Sequence, residues 1–117
     1  MKSIDRVAAV FGLLGVLAGA LGAHGGVSAK VAEMGHAAEW DTAVLYHLVH
    51  AVAAWAAARL GMPRVAIVFL VGIVLFSGSL YVLSLTGISK LGAVTPLGGL
   101  AMMVGWGMAA LRRDSTG

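Results

Sequence analysis

A chain of 117 residues with 60% hydrophobic residues, 11% charged residues and a mean hydropathy of +0.95 holds too little polar surface to clothe a water-soluble core. Its eight Lys and Arg and five Asp and Glu stand in ones and twos beside apolar runs, unlike the clustered patches that bind phosphate backbones, so the excess of +3 calls for no nucleic acid. With no Cys, disulfides and thiolate metal sites are excluded, and compartment redox state is unreadable by that route.

Four apolar runs organise the chain, at residues 7–23, 43–60, 65–85 and 91–111. At about 1.5 Å of rise per residue, such runs match the roughly 30 Å hydrocarbon core of a bilayer. The expected fold is all-α, a polytopic membrane protein with one transmembrane domain over residues 1–117. It is a four-transmembrane-helix bundle, with helices at about 7–24, 42–60, 65–86 and 94–111 and a short interfacial helix in the first outer loop.

In the first run Ala8, Gly12, Gly15, Gly19, Gly22 and Gly26 recur at alternating steps of four and three, which lays small residues along one helix face. Helices in lipid associate through close backbone approach, and such a stripe supplies the groove for it. A cleavable signal peptide is the rival reading, because Lys2 and Arg6 precede an apolar stretch containing Ala18-Gly19-Ala20. A segment destined for removal has no need of a packing stripe. In the connection over 25–41, Val27, Val31, Met34 and Ala38 share a helical face with Lys30 and Glu33 outside it. This suggests the interfacial helix, with Trp40 anchoring at headgroup level; a mobile polar loop is the alternative.

The second run is thinned by Ala43, Ala54, Ala57 and Ala58 and ends at Gly61-Met62-Pro63, where proline stops the helix. After the third run comes a short link over 86–90. Thr95-Pro96 then has the chemistry of an N-cap and first helical residue, so the fourth helix is expected to begin there, with the residues from Leu91 as a bent lead-in. Gly98, Ala101, Gly105 and Ala109 line one side of it. The glycines expected to pack helices are Gly12, Gly15, Gly19, Gly22, Gly98 and Gly105.

With four spans, one side of the membrane carries Lys2, Arg6, Arg59, Arg64, Arg112 and Arg113, and the other only Lys30 and Lys90. Six against two in short loops and tails is a positive-inside bias that places both termini in the cytoplasm.

Residue order adds a resemblance. Gly19-Ala20-Leu21-Gly22-Ala23-His24 closes the first helix, Thr42-Ala43 precedes Tyr46 and His50, and Leu75-Phe76-Ser77-Gly78-Ser79-Leu80-Tyr81 fills the third. Thr95-Pro96-Leu97-Gly98-Gly99 and Gly105-Trp106 mark the fourth. In this order over nearly the whole chain they resemble the domain-of-unknown-function family 423, small bacterial inner-membrane proteins with eukaryotic relatives. The resemblance implies four helices and a bacterial plasma (inner) membrane, and brings no established activity. His47 departs from the pattern, standing where relatives often have Gln.

The polar side chains gather toward one leaflet. His24 ends the first helix on the outer side, Thr42, Tyr46, His47 and His50 descend the second, and Ser77, Ser79, Tyr81, Ser84 and Thr86 occupy the outer half of the third. Thr95 opens the fourth. A polar pocket of His24, Tyr46, His47, His50, Ser77, Tyr81 and Ser84 above an apolar plug is therefore expected, with His50 about 15 Å below Trp40 and close to mid-bilayer. Its plainest role is a hydrogen-bond layer between the second and third helices, which fixes register.

Chemical readings of the same residues stay open beside it. His24, His47 and His50 offer three imidazoles to Zn²⁺ or Cu²⁺, although no acidic residue stands ready to orient the rings. An outward pocket that binds or translocates a small solute, lipid headgroup or metal ion is the second class. No catalytic constellation emerges, since Ser77-Gly78-Ser79 lies within a span without a nearby base, and no cofactor is called for. The favoured expectation is a structural or accessory membrane subunit whose partners are the lipid bilayer and itself or a larger membrane complex.

Overall fold

A computed structural model describes residues 3–113 and, over that range, is helical without a strand. Lys2 lies outside the described residues. Helix α1 (Ile4–Ala23) ends where His24 turns to extended backbone, and Gly25, at φ +81°, reverses the chain into α2 (Gly25–Glu33). That left-handed conformation carries no side-chain penalty at glycine. Helix α3 (Ala37–Arg59) follows, starting five residues before position 42, and α4 (Pro63–Ile73) opens with Pro63 in its first turn. A π-helical turn over Val74–Gly78 carries α4 into α5 (Ser79–Thr86), so Pro63–Thr86 is one continuous rod of 24 residues. Gly87, left-handed at φ 71°, ends it with its N–H on the Leu83 carbonyl. A 3₁₀ turn (Ser89–Ala93) leads into α6 (Thr95–Leu111).

Ile4–Ala23, Pro63–Thr86 and Ser89–Leu111 are long and apolar enough to cross a membrane. Helix α3 has the length, 23 residues, but carries Glu39, Asp41, His47 and His50. It is nevertheless central, packed against α1 on one flank and α4 on the other, while α6 lies against α4 and the π turn. Trp40, Ala43, His47, His50, Ala54 and Ala57 are all buried, at alternating steps of three and four. That is the seam of a helix embraced by neighbours. The two histidines of this rod lie in the interior, while Asp41, Thr42 and Tyr46 are exposed.

Successive long helices run antiparallel. Ile4, Ala57, Met62, Val65 and Ala109 meet at one end, and Ala18, Val31, Trp40, Val44 and Tyr81 meet at the other. Asp5 and Arg59, whose side chains approach to 3.4 Å, tie the start of α1 to the finish of α3. The molecule is 53 Å long and 25 by 18 Å across.

Three local expectations are corrected. Trp40 is no headgroup anchor: it is 5% exposed, wedged against Gly22, and its indole N–H donates to the Ala18 carbonyl at 2.9 Å. The face expected to run from Val27 to Ala38 is divided, because α2 stops at Glu33 and Ala38 belongs to α3; Val31 is buried against the helix ends. Thr95 is not an N-cap. Val94 holds that position, and the Thr95 hydroxyl lies instead 2.6 Å from that of Ser79 and 3.5 Å from the Leu91 carbonyl.

Candidate functional site

The two buried imidazoles of α3 form a set of bonds in which each partner assigns the ring's proton. His47 Nε2 lies 2.8 Å from the Phe11 carbonyl, which only accepts, so Nε2 carries the hydrogen. Nδ1 is then free to accept from the Tyr81 hydroxyl, also at 2.8 Å. His50 takes the opposite tautomer. Its Nδ1–H donates to the Tyr46 carbonyl at 2.8 Å, and its Nε2 accepts the indole N–H of Trp106 at 3.0 Å. Every imidazole nitrogen of the two residues is thereby engaged, and both rings are buried, at 6% and 5% exposure. Buried polar groups satisfied in this way carry little desolvation cost.

Gly15 makes the first of these bonds possible. A Cβ added there would stand 3.3 Å from His47 Cδ2 and 2.6 Å from Leu48 Cδ2, in the path by which the imidazole reaches α1. The π turn and the start of α5 make the remaining links. Ser77 donates to the Ala43 carbonyl of α3 at 2.7 Å, while Ser79 joins Thr95 ahead of the body of α6. Gly98 lies so close to the Phe76 backbone that an added Cβ would overlap it. A widened turn re-aims side chains within an otherwise regular helix. Here one stretch of seven residues, 75–81, bonds to α3 through Ser77 and Tyr81 and to α6 through Ser79.

Of the seven residues expected to share a pocket, His47, Ser77 and Tyr81 join in bonds between α3 and the third rod. Tyr46 faces outward, 41% exposed, stacked on His50 and packed on Phe76. Ser84 is fully buried with its hydroxyl unpartnered among the described residues. His24 is exposed at the bend between α1 and α2, so the three imidazoles do not converge. No group of three His, Cys, Asp or Glu suited to a metal ion occurs among the described residues. The cavity beside His47 and Tyr81 is an apolar groove of about 390 Å³ between α1 and the third rod. The small-residue stripes separate in the same way: an added Cβ at Gly15, Gly22, Gly98 or Gly105 meets a neighbour at close range, at Gly19 it makes ordinary contact, and at Gly12 it meets nothing within 4 Å.

Trp106, the Phe11 carbonyl and the Trp40 indole are site groups that sequence reasoning missed. The alternating three and four spacing from Trp40 to Ala57 was the available sign that His47 and His50 lie in a seam. Trp106, a lone donor in a run without other polar side chains, was the available sign of an acceptor nearby.

Among the described residues, three helices of membrane-crossing length, with His47 and His50 buried and paired between them, define the class of small integral membrane proteins. The model of the family described as "Protein of unknown function (DUF423)" matches residues 18–99, and this chain belongs to that family. The chain is 43% identical over 114 residues to the UPF0382 membrane protein YwdK of Bacillus subtilis, covering 91% of each chain. It is 38% identical to the UPF0382 membrane protein C1782.12c of Schizosaccharomyces pombe, over 89% of this chain and 95% of the relative. To the UPF0382 inner membrane protein YgdD of Escherichia coli it is 38% identical, over 86% of this chain and 81% of the relative. No solved structure matches.

Proposed function

We propose that this protein is a structural or accessory subunit of a bacterial inner membrane, crossing it four times with both termini in the cytoplasm. The observation that carries the reading is the engagement of all four imidazole nitrogens of His47 and His50 by groups of the same chain. A metal ion or solute held by these imidazoles needs ring nitrogens left over for it, and these two side chains offer none. Four spans are supported by the antiparallel order of successive helices, the 53 Å length and the burial of His47 and His50 in α3. Orientation is supported by Arg6, Arg59, Arg64, Arg112 and Arg113 lying toward one end and Lys30 and Lys90 toward the other. Helix α2 then lies at the outer interface, where Lys30 is exposed and Val31 faces inward.

Absence of native Cys makes orientation directly measurable. Lys30→Cys and Lys90→Cys react with an impermeant maleimide applied outside intact cells, and Arg64→Cys reacts only after permeabilisation. The accessory role is tested by sizing the protein extracted from its membrane in mild detergent. Particles heavier than one 11.9 kDa chain in its micelle are expected, for the wild type and for His50→Phe alike. A uniform monomer stabilised by a metal ion or small solute overturns this reading.

A further inference from the structure

We propose that His36, Glu39 and Ser84 form a site for one divalent transition-metal cation of the Zn²⁺ class, at the end of the molecule where α2 meets α3 and α5. The inference goes beyond the subunit reading and does not depend on it. Three polar atoms there are shut off from solvent and have no hydrogen-bond partner among the described residues: His36 Nδ1, Glu39 Oε2 and Ser84 Oγ. Ser84 is fully buried. Atoms left in this way carry an uncompensated desolvation cost until something binds them.

Helix register brings the three together. Ser77 donates to the Ala43 carbonyl, and Tyr81 packs on Trp40 with ring centroids 4.7 Å apart, which fixes how the third rod runs past α3. Ser84 lies seven residues after Ser77, two turns along the same face, and His36 lies seven residues before Ala43. Antiparallel packing therefore sets Ser84 opposite His36. Glu39 follows His36 by one turn, and its Oε1 stands 3.6 Å from Nδ1.

The commoner duties of these side chains do not account for them. A glutamate three residues after a helix N-cap ordinarily reaches back to the N–H of the cap. His36 is the N-cap of α3, but its N–H already donates to the Val31 carbonyl at 3.0 Å, and no side-chain cap bond is made. A proton on Nδ1 does not complete the set, because 3.6 Å is beyond hydrogen-bond reach and Oε2 and Ser84 stay unserved. A water molecule supplies hydrogens but no charge, and no Lys or Arg among the described residues pairs with Glu39.

A metal ion serves all three atoms. Zinc holds imidazole nitrogen at about 2.0–2.1 Å and carboxylate oxygen at about 2.0–2.2 Å, so two ligands at the tetrahedral angle stand about 3.4 Å apart. The observed 3.6 Å is close to that spacing. His36 Nε2 is not among the enclosed atoms and keeps the ring hydrogen, which leaves the Nδ1 lone pair for the metal. Glu39 supplies the second ligand and the compensating charge, and the Ser84 hydroxyl bonds a water held in one of the remaining positions. His47 and His50 take no part, since their nitrogens are committed elsewhere.

The test uses the full chain in mild detergent, without an oligohistidine tag, stripped with EDTA, dialysed and titrated calorimetrically with zinc chloride. Saturable binding of one Zn²⁺ per chain is expected, with a melting temperature that rises with Zn²⁺ but not with Mg²⁺ or Ca²⁺, which favour all-oxygen sites. His36→Gln and Glu39→Gln each weaken binding at least tenfold. Ser84→Ala weakens it about tenfold, yet its metal-free form melts no lower than the wild type, because the hydroxyl removed had no partner. His24→Ala and Glu33→Gln, which remove an exposed imidazole and an exposed carboxylate at the same end, leave binding unchanged. No saturable binding overturns the site. Binding weakened as much by His24→Ala and Glu33→Gln as by His36→Gln and Glu39→Gln marks an adventitious ion only and also overturns it. Either failure leaves the subunit reading standing, since that reading is tested by particle mass measured in EDTA.

Discussion

Replacing Gly98 with alanine tests whether close approach of α6 to the π turn holds the fourth helix in place. The added Cβ would overlap the Phe76 backbone nitrogen and lie 2.7 Å from its Cα, and backbone cannot rotate away as the end of a side chain can. Helix α6 must withdraw, which stretches the Ser79–Thr95 hydroxyl contact and loosens Met102 from Gly72. Overpacking of this kind costs about 1–3 kcal/mol. Gly12→Ala is the matched control, also in mid-helix but with nothing within 4 Å. It should be neutral or stabilising by up to about 1 kcal/mol through helix propensity. Reversible unfolding of each variant in mixed micelles, followed by circular dichroism, measures the difference. The two substitutions should differ in sign or by at least about 1 kcal/mol. Equal destabilisation by both would refute the argument, since the glycines would then act through a property common to all of them and not through what each one faces.

The His50–Trp106 bond should appear as coupling in a double-mutant cycle of His50→Phe and Trp106→Phe, at about 0.6–1.7 kcal/mol as for hydrogen bonds between membrane helices; additivity within error would remove it from the structure. His47→Gln should be tolerated to within about 1 kcal/mol, because an amide supplies one donor for the Phe11 carbonyl and one acceptor for the Tyr81 hydroxyl. His47→Leu strands both partners and should cost about 1–3 kcal/mol in the same unfolding assay. Trp40→Phe keeps an aromatic ring but deletes the N–H on the Ala18 carbonyl and part of the buried indole, so it should lower stability by at least about 0.5–1.5 kcal/mol, whereas a tryptophan serving as a surface anchor would lose almost nothing. Gly22→Ala should be damaging beside it, because the new methyl overlaps the indole; an unchanged melting temperature would contradict the wedged position of Trp40.

Much of the helical layout was legible because lipid admits few alternatives. A backbone in hydrocarbon must satisfy its own polar groups, so long apolar runs become helices whose ends fall near the first charges, glycines and prolines. The break at Gly61-Met62-Pro63 and the bent lead-in before Thr95 were readable for that reason. The motif over 75–81 marked the family before its geometry was known. Each of its polar residues turns out to reach a different neighbour.

Pairing was decided only in three dimensions. His47 and His50 both bond to backbone carbonyls, and every residue has a carbonyl, so no composition or spacing singles out Phe11 or Tyr46. A stripe of small residues covers a broad arc of α1, and only the rotation of that helix against α3 puts Gly15 beneath an imidazole while Gly12 opens onto empty space. Sequence alone therefore determines that these helices form, because hydrocarbon imposes internal hydrogen bonding on each segment separately. The neighbour that each polar atom meets is a property of packed surfaces, and it exists only once the rods have closed on one another.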